Sequence, residues 1–317
     1  MNSNEEICNK KRNFLPNLLI VGLAVIFTIS LLYLTLELHK ILDYLLRPVF
    51  QPIWHTKFFE ILGLICFSVI ILIVILGFVI RKLVISKIGS LFLILPVFAH
   101  FLVAMFLLAG IQIFQIILLP FDEFILELGS IIKLPYFIIS IVSENPDLSI
   151  WYVSFAIILI GLFIFTMGVI AWFQGVIKRR KIVDFSIYKF SRHPQLLGYL
   201  LWSYGIYLLT LIKPSGFPKG AAIFDYTLMW LITALIIIGI ALYEEILMSH
   251  KFPEQYAEYQ EKASFLIPFP KIFKSALRFP IRYFFKKETP ESAKEELVLL
   301  LFYGVIIILI SLPFNFI

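Results

Sequence analysis

The chain has 317 residues, 61% hydrophobic and 15% charged, with 27 Lys+Arg against 21 Asp+Glu for a formal net charge of +6. Soluble domains carry about 45–50% apolar and about 25% charged residues, so this composition, with its mean hydropathy of +0.96, excludes a free soluble enzyme, a disordered chain and a secreted disulfide scaffold. The two cysteines, Cys8 and Cys66, form neither a C-x-x-C pair nor part of a metal-ligand cluster.

A helix crosses the hydrocarbon core in about 20 apolar residues. Six stretches reach that length, 14–38, 58–80, 88–119, 150–175, 195–212 and 226–248, and a seventh is expected over 297–317. The first follows Lys10-Lys11-Arg12 and is too long for a signal-peptide core, so it is expected to remain as an anchor. The run Ile131–Val142 contains Pro135 and is too short to span, which suits an interfacial or re-entrant segment. Ser292-Ala293-Lys294-Glu295, after Pro290, is a capping-box pattern that announces the last helix. The expected fold is all-α, a polytopic transmembrane bundle of six to seven spans. Its regions are an N-terminal membrane part (1–149, three spans plus an extracytoplasmic loop), a central part (150–270), and a basic segment with the last span (271–317).

Basic residues near span ends set the orientation. With the N-terminus in the cytoplasm, 21 of the 27 Lys+Arg lie in the cytoplasmic segments 1–13, 81–87, 176–194 and 249–296, and 6 lie on the other side. The positive charge is therefore an orientation signal, and nucleic acid is not an expected partner. Lys271, Lys274, Arg278, Arg282 and Lys286 recur at steps of three and four, alongside Phe273, Leu277, Phe284 and Phe285. That pattern suits an interfacial helix over 271–287 lying on anionic lipid, with Pro280 expected to kink it.

Polar groups at membrane depth are costly and point to function by default. His100, Gln112 and Gln115 in the third span suit interhelical hydrogen bonds, and Gly161 and Gly168 in the fourth suit helix packing. The five histidines, His39, His55, His100, His193 and His250, include no pair at i,i+3 or i,i+4, so no metal site is expected. Two places differ. Arg192-His193-Pro194 stands where a basic loop enters the fifth span, with the proline suited to the first helical turn. Glu244-Glu245 lies inside the otherwise apolar sixth span, about one turn from its end. Adjacent side chains on a helix point about 100° apart, so the two carboxylates need different partners. Carboxylates at a helix C-terminus also oppose its dipole, so a cation is expected beside them, Arg192 or a cationic ligand. The fifth and sixth spans are joined by a short Gly/Pro-rich loop, Lys213–Asp225, so they should form an antiparallel hairpin that brings both places to one level.

These residues resemble the integral-membrane methyltransferases that include isoprenylcysteine carboxyl methyltransferase and the phospholipid N-methyltransferases. The shared pattern is R-H-P-x-Y-x-G, a hairpin, E-E-x-x-L, a Tyr-rich stretch and a proline. Here it reads Arg192-His193-Pro194-Gln195-Leu196-Leu197-Gly198, Glu244-Glu245-Ile246-Leu247, Tyr256, Tyr259 and Ile267-Pro268, over about 160–270. The resemblance implies a cytosol-facing S-adenosylmethionine pocket and a lipid-like acceptor, prenylated or otherwise. It implies cofactor contacts at Val183, Tyr188, His193, Pro194, Gln195, Leu196, Gly198, Glu244 and Glu245. Arg192, His193 and Glu245 fall in the catalytic part, with no metal. The chain departs from the pattern at Leu196, where the family has Tyr, and at Ile240, where the prenylcysteine enzymes have an Arg suited to a substrate carboxylate. Membrane steroid and sterol reductases, which bind NADPH, share the R-H-P segment. They continue it as R-H-P-N-Y with an acidic residue after the glycine, where this chain has Gln195 and Tyr199. A transporter would show broken spans or paired half-helices, and neither is evident.

Overall fold

The structure, a computed structural model, describes residues 19–30, 32–33, 57–80, 82–104, 117–118, 120–212, 226–267, 279–287, 290 and 292–313. The described residues are mostly helical, with one isolated bridge between Ser191 and Ser264. The helices are α1 (Leu19–Ser30), α2 (Lys57–Val79), α3 (Leu83–Ala104), α4 (Leu134–Val142), α5 (Pro146–Ile177), α6 (Pro194–Thr210), α7 (Thr227–Lys251), α8 (Pro253–Lys262) and α9 (Ala293–Ser311). Proline stands in the first turn of α4, α5, α6 and α8, where its missing N–H costs no helix hydrogen bond. Ile61–Val79, Pro146–Ile177 and Thr227–Lys251 are long and apolar enough to cross a membrane.

The α5/α6 pair is the most extensive contact in the fold. Its cause is a heptad of small residues on α5, Ser154, Gly161, Gly168 and Gly175, each lying against the neighbouring chain. Gly161 faces the backbones of Gly198 and Trp202, Gly168 faces Pro194 and Gln195, and Gly175 takes the side chain of Val183. Gly205 of α6 meets the Ser154 carbonyl in turn. Small residues every seven positions let two helices approach closely along their whole length. The packing expected of Gly161 and Gly168 is thus one stretch of a longer seam.

The α6/α7 hairpin is antiparallel, as expected. At one end Tyr207 and Thr227 share a 2.7 Å hydrogen bond and the Trp230 indole donates to Ser203 Oγ at 3.2 Å; at the other, residues 192–193 meet residues 244–245. The loop joining the two helices lies outside the described residues.

α3 begins at Leu83, earlier than the residue 88 expected from hydropathy. The reason is a tight turn after α2, in which the Lys82 N–H bonds the Gly77 carbonyl at 2.9 Å and Ser86 Oγ donates to the Val74 carbonyl at 2.8 Å. Gly77 leaves room for Ser86 there. The change places Lys87 inside a helix instead of a loop.

Ile131–Val142 forms a 3-10 turn at Ser130–Lys133 followed by the short α4, in keeping with a segment that does not span. Ser292 caps α9 by accepting from the Glu295 N–H, and the Glu295 carboxylate accepts from Lys287 Nζ at 2.9 Å. Pro280 sits at the start of the helical stretch 279–285. Lys271, Lys274, Arg278, Gln112, Gln115 and Cys8 lie outside the described residues.

Candidate functional site

Three chain segments converge where α6 begins and α7 ends. The segment before α6 is held by the Ser191–Ser264 bridge, in which the Arg192 N–H donates to the Ser264 carbonyl at 2.8 Å. α8 follows α7 after a break at Phe252–Pro253 and folds back over the same end. Its one-turn spacing places Tyr256 and Gln260 on the face turned toward Glu245.

Glu245 is saturated with donors. Oε1 accepts from Arg192 Nε at 2.9 Å, His193 Nε2 at 2.8 Å and the Tyr256 hydroxyl at 2.6 Å; Oε2 accepts from Arg192 Nη2 at 2.8 Å and Gln260 Nε2 at 2.9 Å. Arg192 Nη1 donates to the carbonyls of Ala263 at 2.6 Å and Gln260 at 3.2 Å. The Tyr259 hydroxyl donates to the Tyr188 carbonyl at 2.8 Å. These bonds clasp α8 onto the α6/α7 hairpin. The cation expected beside the carboxylate pair is Arg192, held bidentately by Glu245.

Glu244 points elsewhere, as the 100° step requires. Its Oε1 accepts from Lys87 Nζ at 2.7 Å, its Oε2 lies 3.3 Å from His193 Nδ1, and its side chain is 30% exposed. Both ring nitrogens of His193 therefore face carboxylate oxygens, which only accept hydrogen bonds, an arrangement that favours the imidazolium over either neutral tautomer. Burial opposes that charge, but the bonds to Glu244 and Glu245 outweigh it and hold the His193 pKa above the ordinary histidine value. A pKa raised on folding stabilises the protein fully below about pH 6.5 and loses that contribution as pH rises through the folded value. The melting temperature is thus expected to fall across the alkaline side of pH 6.5, and His193→Gln should flatten that fall; an unchanged slope in the variant would contradict the imidazolium.

Tyr188 is buried, and its burial, followed by Tyr259 and Glu244, keeps its hydroxyl protonated well above the usual range, a standing donor near Glu244. Of the remaining expected contacts, Val183 packs into Gly175, and Pro194 and Gln195 pack on Gly168. Gly198 abuts Gly161 and Phe165, and Leu196 faces α7 in an apolar cluster with Ile237, Ile240 and Ala241. The structure thus brings Arg192, His193, Glu244, Glu245 and Tyr188 together and sets Pro194, Gln195 and Gly198 against α5. Lys87 and Gln260 join the site without having stood out in the sequence. Among the described residues no cluster of metal-ligating side chains occurs.

A cavity of about 690 Å³ opens beside this group, lined by Ile182, Asp184, Lys189, Tyr259 and Lys262 among others. A family model described as a protein of unknown function, DUF1295, matches residues 100–263, which takes in every site residue but Lys87. No curated protein and no solved structure matches the chain.

Proposed function

We propose that this chain, which belongs to the DUF1295 family of proteins of unknown function, transfers a methyl group from S-adenosylmethionine to a lipid-like acceptor at the cytoplasmic face of a membrane. The bundle has six to seven spans with its N-terminus inside, so that the basic segments 1–13, 81–87, 176–194 and 249–296 lie on the cytoplasmic side. One observation carries the reading: Glu245 is used up by the clasp, whereas Glu244, its neighbour, keeps a partly exposed carboxylate beside an imidazolium and a lysine.

That donor set fits the α-amino-acid end of the cofactor. Glu244 receives the ammonium, and Lys87, released from Glu244, receives the carboxylate together with His193. The cavity lined by Ile182, Asp184, Tyr259 and Lys262 offers room for the nucleoside, with Asp184 able to accept from ribose hydroxyls. When bound, the cofactor supplies a methyl group on a sulfonium, and transfer is an in-line displacement in which the acceptor's lone pair forms the new bond to carbon while sulfur keeps the electrons of the old one. The chain's contribution is to align the two partners about 3–3.5 Å apart and to keep water out, which the clasped α8 does from one side. Leu196, where the family has Tyr, and Ile240, where the prenylcysteine enzymes have Arg, belong to one apolar cluster, so that wall suits an acyl or prenyl chain.

The test is ligand-dependent melting in detergent. S-adenosylmethionine or its demethylated product should raise the melting temperature and NADPH should not; the reverse result would assign the chain to the reductases. A charge-assisted hydrogen bond contributes about 1.5–3 kcal/mol, so Glu244→Gln should weaken cofactor binding roughly 10- to 150-fold while leaving apo stability nearly unchanged.

A further inference from the structure

We infer that the cleft between α1 and the end of α5 is a binding site for one anionic phospholipid, a second cavity that shares Arg180 and Lys189 with the first. α1 is moored on α5 by a buried pair, Thr28 and Thr166, whose hydroxyls lie 3.3 Å apart, and Ala24 and Ile20, one and two turns before Thr28, are buried as well. Beyond that mooring the two helices and the segment 185–190 enclose a cavity of about 630 Å³. Its lining is graded. Along α5 the lining runs from Lys178 through Gln174 to Met167, with Arg180 and Lys189 added by the following segment and Val21 by α1. From Lys178 to Met167 is eleven residues of helix, about 16 Å, or half the thickness of a hydrocarbon core. A cationic rim, a polar step and an apolar shaft one leaflet deep match a phosphodiester headgroup, a glycerol backbone and an acyl chain.

The rim is built for an anion. The Lys178 ammonium and the Arg180 guanidinium lie 5.6 and 5.5 Å from the centroid of one ring, Phe185, so two like charges share one support. Only Arg180 has an acidic partner among the described residues, Asp184 at 3.3 Å. The chain bends to arrange this. α5 ends with the Arg180 N–H bonded to the Gly175 carbonyl and the Arg179 N–H to the Val176 carbonyl, both at 3.0 Å, with Arg179 at φ 51°. A left-handed helix stop usually falls on glycine, and an arginine there is held by its surroundings. Ser186, also at positive φ (56°), turns the segment back so that Lys189 rejoins the same rim.

The experiment uses the full chain in uncharged detergent, titrated with phosphatidylglycerol, phosphatidylcholine or inorganic phosphate. Binding is read by melting temperature and by lipid retained in native mass spectrometry. One phosphatidylglycerol per chain is expected, bound at least tenfold more tightly than phosphatidylcholine, with no shift from millimolar phosphate. Lys178→Glu should weaken it roughly tenfold or more, whereas Lys251→Glu, on the exposed end of α7, should change it less than twofold. Met167→Trp, which fills the apolar shaft and leaves every charge in place, should also displace the lipid. Equal binding of the two lipids, an equal response to phosphate alone, or equal effects of the two charge reversals would overturn the assignment.

Discussion

Glu245→Gln is expected to be the most destabilising polar substitution in the chain, costing about 3–5 kcal/mol and lowering the melting temperature on the order of 10 °C. The side chain keeps its shape but loses its charge, and its new NH₂ group faces donors that were aimed at a carboxylate. Arg192, its side chain only 11% exposed, is left opposite a neutral group, His193 loses one of its two acceptors, and either Tyr256 or Gln260 must give up its bond. Lys87→Met provides the contrast. The Lys87–Glu244 pair is 38% and 30% exposed, and such pairs contribute about 1 kcal/mol or less. Limited proteolysis supplies a second readout, because an unclasped α8 should be cut within 253–262 in the Glu245 variant alone. Melting that is unchanged in Glu245→Gln, or that drops in Lys87→Met instead, would remove the clasp from the argument.

The clasp was partly legible in the sequence. Two adjacent carboxylates near a helix C-terminus demanded a cation, and a short hairpin loop put Arg192 at the right level; the Arg192–Glu245 pair follows from those two facts. What could not be read was the division of the pair, because it depends on which face of α7 meets α6 and which meets α3. Lys87 was hidden for a related reason. Hydropathy started the third span at residue 88, since Arg81, Lys82 and Lys87 look like one charged loop, whereas α2 ends at Val79 and the chain is helical again from Leu83. Gln260 had no signal of its own, yet it lies four residues after Tyr256, so once one faces Glu245 the other must as well. The α5 seam was visible at Gly161 and Gly168, and its seven-residue step already extended to Ser154 and Gly175.

Gly198 tests whether a motif residue serves the ligand or the fold. In the sequence pattern it closes the R-H-P segment, which groups it with the cofactor contacts. In the structure it is pressed on α5. A Cβ added there would fall 2.6 Å from the Gly161 carbonyl oxygen and closer still to the Phe165 nitrogen. Both obstacles are backbone, so no rotamer can relieve them and the helices must separate along the seam. Overpacking of this kind costs about 3 kcal/mol, at the top of the usual range, and Gly198→Ala should show it as a large fall in melting temperature with or without ligand. Gly22→Ala is the matched control, because nothing lies within 4 Å of a Cβ built there. Alanine should stabilise α1 by about 0.5–1 kcal/mol through the lower conformational entropy of the unfolded chain. If Gly198→Ala instead melts like the parent and loses only cofactor affinity, the glycine is kept for close approach of a ligand. The small-residue seam would then end at Gly161, and α6 would have to present both its faces to the site.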